Sequence, residues 1–168
     1  MFSNDREYRY TLWREWSLPS GMPYLLPLKR QDEYVQFIGL NPSTADETND
    51  DPTIRRCIDF AKRWGFGAMC MTNAFALRAT DPKVMLSHPQ PNDIVGKTTL
   101  HLTNDVWLKT VSEGAGLIVA AWGTHGKHLN RDKEIISLIQ KLHCFGKNRD
   151  GTPKHPLYMS AITGLIQL

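Results

Sequence analysis

Asn41, Asn73 and His155 are the side chains of this 168-residue chain best suited to hold a flat polar ligand and manage charge around it, and each lies beside an apolar run. Asn41 sits in Gly39-Leu40-Asn41-Pro42-Ser43, where glycine lets the backbone bend and proline fixes the next turn. Its amide can hold a water or a ligand hydroxyl but cannot act as a general base, because it takes up no proton near neutral pH; its plainer use is an Asx-turn that shapes the loop. Asn73 closes Met71-Thr72-Asn73 and offers an acceptor and donors in one plane, matching the edge of a pyrimidine or purine; a strand-end turn is the alternative. His155, in Lys154-His155-Pro156-Leu157-Tyr158, is the best proton donor or hydrogen-bond partner for a leaving group, or else a structural histidine. Trp122-Gly123 supplies either a pocket wall with close backbone approach or a packing tryptophan.

Asp46, Glu47, Asp50 and Asp51 crowd ahead of a predicted helix. Acids there can simply cap the first turn and complement the helix dipole. In a catalytic role, one of them faces positive charge developing on a sugar or activates the attacking water, with Asp46 and Asp51 as candidates. Asp46, Asp50 and Asp51 together also allow a divalent cation, and hence a metal-dependent phosphate-ester hydrolase. Arg55 and Arg56, one turn inside the helix, can hold a phosphate or pair with these acids. Arg78, with Thr80 and Asp81, is either a binding residue or part of a solvated loop.

These residues meet only if the apolar runs before them are neighbouring parallel strands, whose carboxyl ends form a ligand crevice. Tyr34 to Leu40, Ala68 to Thr72 and Leu117 to Trp122 read as strands, the last apolar throughout and therefore central. Ile54, Cys57, Ile58 and Ala61 fall at helical spacing between Pro52, suited to a first turn, and Gly65, suited to a stop. Thr98 to Val111 predicts a weaker helix with Leu100, Val106 and Trp107 toward the core. Arg131 to Leu142 predicts another, with Ile135, Leu138, Ile139 and Leu142 on one stripe, and His143 to Phe145 begins a short strand. Tyr8 to Trp16 alternates apolar positions with charged ones, Arg9 and Arg14 among them, and together with Tyr24 to Leu28 predicts an edge hairpin. Pro82, Pro89 and Pro91 predict irregular chain up to Asn92. The alternation of strands and helices predicts one α/β domain over residues 1–168, a three-layer α/β/α sandwich with a mostly parallel central sheet.

A hydrophobic content of 41% fits a single core. The 20 basic and 17 acidic side chains leave a net charge of +3, which permits nucleic acid without requiring it. Cys57, Cys70 and Cys144 lie far apart beside apolar segments, the pattern of buried free thiols rather than of disulfides or a metal knuckle. No apolar run approaches the about 20 residues of a membrane span, so the expectation is a cytoplasmic protein with no membrane contact and no cofactor or resident metal.

Taken in order, the motifs resemble the uracil-DNA glycosylase superfamily, within it the mismatch-specific and thymine-DNA glycosylase branch. Phe37 to Ser43 (FIGLNPS) is similar to that branch's G-I-N-P-G water-positioning loop, with Ser43 in place of the glycine. Met71 to Thr80 (MTNAFALRAT) resembles its F-T-N strand end and R-x-T, Leu117 to Gly123 (LIVAAWG) the L-L-W-G strand, and His155 to Leu157 the H-P-S-P loop. More closely still, GLNPSTADETNDDPTIRR and DGTPKHPLY resemble an uncharacterised bacterial and phage family, domain-of-unknown-function family 1643, over most of the chain from Tyr8 to Tyr158. That likeness names no reaction. The superfamily resemblance implies a flipped-out or free nucleobase against Asn73, a water on Asn41 and His155 stabilising charge on the departing base. The expected site is then catalytic Asn41, Asp46, Asp51 and His155, with Gly39, Pro42, Ser43, Arg55, Asn73, Arg78, Trp122 and Gly123 around the substrate. It predicts an N-glycosidase of the DNA-repair type, acting on a modified or deaminated base in single-stranded nucleic acid or a nucleotide, since the ten residues after Tyr158 are too few for a wedge into duplex DNA. A non-catalytic nucleotide or nucleic-acid binding protein of the same fold and the metal-dependent phosphate-ester hydrolase are the alternatives.

Overall fold

The computed structural model describes residues 1–16, 34–88, 95–96 and 102–168. In chain order its strands are β1 (Leu12–Glu15), β2 (Tyr34–Gly39), β3 (Ala68–Asn73), β4 (Leu117–Ala120), β5 (Leu142–Cys144) and β6 (Ile166–Gln167). Its α-helices are α1 (Pro52–Arg63), α2 (Pro82–Leu86), α3 (Asn104–Gly114) and α4 (Arg131–Leu138).

Helix α1 follows from local rules. The Asp51 carboxylate accepts from the N–H of Ile54 at 2.9 Å, Pro52 occupies the first turn, and Lys62 and Arg63 face the negative end of the dipole. Its stripe of Ile54, Cys57, Phe60 and Ala61 packs on one face of the sheet, against Val35, Phe37, Met69, Met71 and Val119. Leu108 of α3 and Ile135 of α4 pack on the other face with Ile38, Ile118 and Ala120, and Val111 joins Tyr34 and Cys70 there. Every residue of β2 is buried, and the Gln36 amide inside it donates to Leu108 O and Thr72 Oγ1, each at 3.1 Å.

The sheet runs β1-β3-β2-β4-β5-β6. The pairings β3/β2, β2/β4 and β4/β5 are parallel, whereas β1/β3 and β5/β6 are antiparallel. The sheet is therefore mixed, which corrects the expectation of a mostly parallel one. An antiparallel edge needs no helical crossover, and nothing local in either edge segment marks the direction of a partner distant in sequence.

Other expectations shift in detail. A short helix, α2, replaces part of the irregular chain, because Asp81 caps it and Pro82 begins it rather than breaking it. Val106 is exposed, and α3 meets the core through Leu108 and Val111. Leu142 belongs to β5 rather than to α4. Arg9, read as one of the charged positions of an alternating strand, is buried at 2% exposure. Tyr24 to Leu28, Pro89, Pro91 and Leu100 lie outside the described residues. Cys57, Cys70 and Cys144 are free and buried. Among the described residues no helix is long and apolar enough to cross a membrane.

The end of β3 is held by a buried polar network that had no trace in the sequence pattern. Asn104 of α3 donates to Asn73 O at 2.9 Å and to Ala74 O at 3.2 Å, and Arg131 Nε donates to Ala74 O at 2.8 Å. The Arg131 guanidinium pairs in turn with Glu134 at 2.9 Å and with Asp105. Two carbonyls released from the ladder thus keep partners, and the backbone of Asn73 is fixed from behind.

Candidate functional site

A cleft of about 520 Å³ opens beyond the carboxyl ends of β2, β3 and β4. The chain leaves β2 through α1 to reach β3 on one side, while β4 lies on the other, so the cleft occupies a point where strand order reverses. Gly39 enters it at the end of β2, Asn41 and Ser43 after that strand, Asn73 from β3, Trp122 and Gly123 after β4, and His155 from the loop after β5. Thus the two amides and the imidazole singled out in the sequence share one cavity.

Each is oriented by its surroundings. Asn41 Nδ2 donates to Ala79 O at 2.8 Å and to Pro42 O at 3.2 Å, which spends both amide hydrogens and turns Oδ1 into the available acceptor. Asn73 is 3% exposed, and its Oδ1 accepts from Arg9 Nη2 at 3.4 Å. The amide lies directly over Gly39: a Cβ there would stand 2.7 Å from Asn73 Nδ2. His155 caps the short 3₁₀ turn Pro156–Tyr158, its Nδ1 accepting from the N–H of Leu157 at 3.3 Å. A neutral ring that accepts at Nδ1 carries its proton at Nε2. Burial lowers the His155 pKa and the charge of Asp51 opposes this, so the neutral donor form is favoured. The loop is braced by the turn at Asn148 to Pro153, where Asp150 accepts from Thr152, and by the Arg56 guanidinium of α1, which donates to Met159 O.

Arg9 lies among the lining residues as a buried cation. Nη1 donates to Ala45 O at 2.8 Å, and Nε is buried without a hydrogen-bond partner among the described residues. Desolvation lowers its pKa to about 10, which still leaves it charged at neutral pH. No carboxylate lines the cleft among the described residues. Trp122 is both wall and core, 1% exposed, and Gly123 adopts φ +68° and ψ −166°, a backbone region open to glycine alone.

Other predicted site residues lie outside the lining. The Asp46 carboxylate is consumed by its own turn, accepting from the N–H groups of Thr48 and Asn49, which hold its pKa well below the usual range. Asp51 caps α1, although its charge is felt at both Arg9 and His155. Asp50 pairs with Arg14 at 2.7 Å. The three acids therefore serve separate partners, and among the described residues no group of three acidic, histidine or cysteine side chains could hold a metal ion. Arg55 is exposed and donates to Asp50 O; Pro42 is buried and accepts from the N–H of Ala79. Arg78 lines an adjoining cavity of about 460 Å³ that shares Ser43, Ala79 and Thr80 with the first.

Residues 9–157 match the family described as a protein of unknown function, DUF1643. The chain belongs to that family. No curated protein and no solved structure matches it.

The DUF1643 segment contains both the buried Arg9 and the half-buried His155 of the cleft, while Tyr158 at the mouth, 84% exposed with its ring 5.8 Å from that of His155, falls just beyond. Sequence reasoning gave no role to Arg9 or to Tyr158. The sole trace of Arg9 was an arginine between two tyrosines, and its burial comes from segments far along the chain. Gly39 offers a direct check on the cleft. Gly39→Ala should displace the Asn73 amide at a stability cost of about 1 kcal/mol, measured by urea unfolding.

Proposed function

We propose that this DUF1643 protein binds a nucleobase in the cleft and hydrolyses the N-glycosidic bond to its sugar, on an α/β/α framework of the uracil-DNA glycosylase type. The observation that carries the reading is the convergence of Asn41, Asn73 and His155 on one cavity at the carboxyl ends of parallel strands. In the reaction the C1′–N bond breaks and its electron pair leaves with the base. A water oxygen then bonds to C1′ and loses a proton to solvent, solvent returns a proton to the departed base, and the products are the free base and a sugar hemiacetal. Negative charge on the departing base meets the Nε2–H of His155, the amide hydrogens of Asn73 and the Arg9 cation, all held in place before the bond breaks. Asn41 Oδ1 orients the water. Asp51 supplies the anion, through its field rather than by contact, and Asp46 has no part because its oxygens are spent.

The substrate in this reading is a modified or deaminated base on a nucleotide or in single-stranded nucleic acid. Incubation with nucleosides, nucleotides and single-stranded oligonucleotides bearing deaminated bases, with free base detected by chromatography, should show release from one class of base. Saturable nucleoside binding without release from any substrate would instead establish a non-catalytic binding protein. Phosphate release dependent on a divalent cation would establish the phosphate-ester hydrolase.

A further inference from the structure

The floor of the cleft presents hydrogen-bond donors and a positive charge. Arg9 faces Asn73 Oδ1, and a guanidinium has only hydrogens to offer, so the Asn73 amide is locked with its oxygen on Arg9. Nδ2 then lies over Gly39, where a Cβ would come within 2.7 Å of it, with no acceptor among the described residues. Arg9 itself is 2% exposed, has an Nε without a partner and pairs with no carboxylate among the described residues. A buried cation of this kind is stabilised by a ligand that brings acceptors to it. His155 adds a further donor through Nε2.

We infer that the cleft selects a 6-oxopurine, hypoxanthine or guanine, bound through its O6 and N7 atoms against Arg9 and Asn73. The inference rests on the nucleobase reading above and names its substrate class. That purine edge offers acceptors alone, the match to a donor floor, and arginine bound to O6 and N7 is a common means of reading it. The adenine edge brings an N6 donor and cytosine an N4 donor, each of which would meet another donor. A uracil ring set against Arg9 and Asn73 would turn its N3–H toward Asn73 Nδ2 and the guanidinium, both donors, because the Asn73 oxygen is already turned to Arg9.

Calorimetric titration of the full chain with deoxyinosine, deoxyguanosine, deoxyadenosine and deoxyuridine tests this. The first two should bind at least about tenfold more tightly than the last two. Asn73→Asp keeps the side-chain size, gives Arg9 a charge partner and removes the Nδ2 donor; it should retain the wild-type melting temperature and lose the preference. Arg9→Met frees the amide to turn its oxygen toward the ligand and should bring deoxyuridine within about twofold of deoxyinosine. Deoxyuridine binding as tightly as deoxyinosine to the wild type, inorganic phosphate binding as tightly as any nucleoside, or a purine preference unchanged in both variants would overturn the assignment, as would no binding at all. Release of uracil without purine preference overturns the substrate class and leaves the hydrolase reading intact. Purine binding without bond cleavage does the reverse.

Discussion

On the proposed hydrolysis, His155→Ala should lower base release by about 100-fold to 1,000-fold, the loss typical when one preorganised donor to a developing anion is removed. The size of the effect comes from placement. The ring is set by the N–H of Leu157 on Nδ1 at 3.3 Å, so in the proposed reaction Nε2–H is already oriented before the bond breaks. Because burial lowers its pKa, the imidazole keeps its neutral form to lower pH than an exposed histidine does. The rate should therefore fall in acid solution with its midpoint below 6.5, as protonation of Nδ1 ejects the Leu157 hydrogen bond. Stability follows the same direction. The unfolded chain binds the proton more readily, so this contribution to folding is complete above pH 6.5 and declines as pH falls toward the lowered folded value. His155→Gln, which keeps a donor and does not titrate, should remove the acid limb of the rate profile while retaining more activity than alanine. A pH-rate series on the three proteins measures both points, and an unchanged rate in His155→Ala would remove the histidine from the reaction.

Gly126→Ala is the largest expected structural effect. A Cβ at that position would lie 2.0 Å from Trp122 Cδ1 and 2.7 Å from its Nε1. The indole is 1% exposed and packed into the core, so it has no free direction in which to withdraw. Overpacking at such a site costs about 3 kcal/mol or more, which in a chain of this length lowers the melting temperature by about 6–12 °C. Gly164→Ala is the control, since a Cβ there meets nothing within 4 Å, and it should leave the melting curve unchanged. Because Trp122 also walls the cleft, Gly126→Ala should weaken ligand binding even below its melting transition. Equal melting temperatures for the two variants would show that the indole can move aside.

The two results depend on different levels of information. Helix α1 was legible because each of its signals is local: the Asp51 cap, Pro52 in the first turn, apolar spacing and a following glycine at φ +83°. Strand β4 was legible because burial on both faces favours an unbroken apolar run, and β2 because Gln36 is the one polar residue interrupting its run. Strand β6, two exposed residues, carries no such signal and exists through its pairing with β5. The acidic cluster misled for a related reason. The sequence put Asp46 and Asp51 in one acidic stretch, whereas hydrogen bonds from the backbone of Thr48 and Asn49 engaged the first of them in its own turn.

Residue types and their position after apolar runs determined that Asn41, Asn73 and His155 could face one ligand, since parallel strands deliver their ends to a common rim. Tertiary structure alone decided which hydrogen-bonding groups the cleft presents. Arg9 reaches Asn73 across 64 positions of chain, and its hydrogens, by claiming the amide oxygen, convert a group able to donate and accept into one that donates. Hydrogen-bond polarity at a site is a property of which groups face each other in space, and pairs so far apart along the chain leave no pattern in the order of residues.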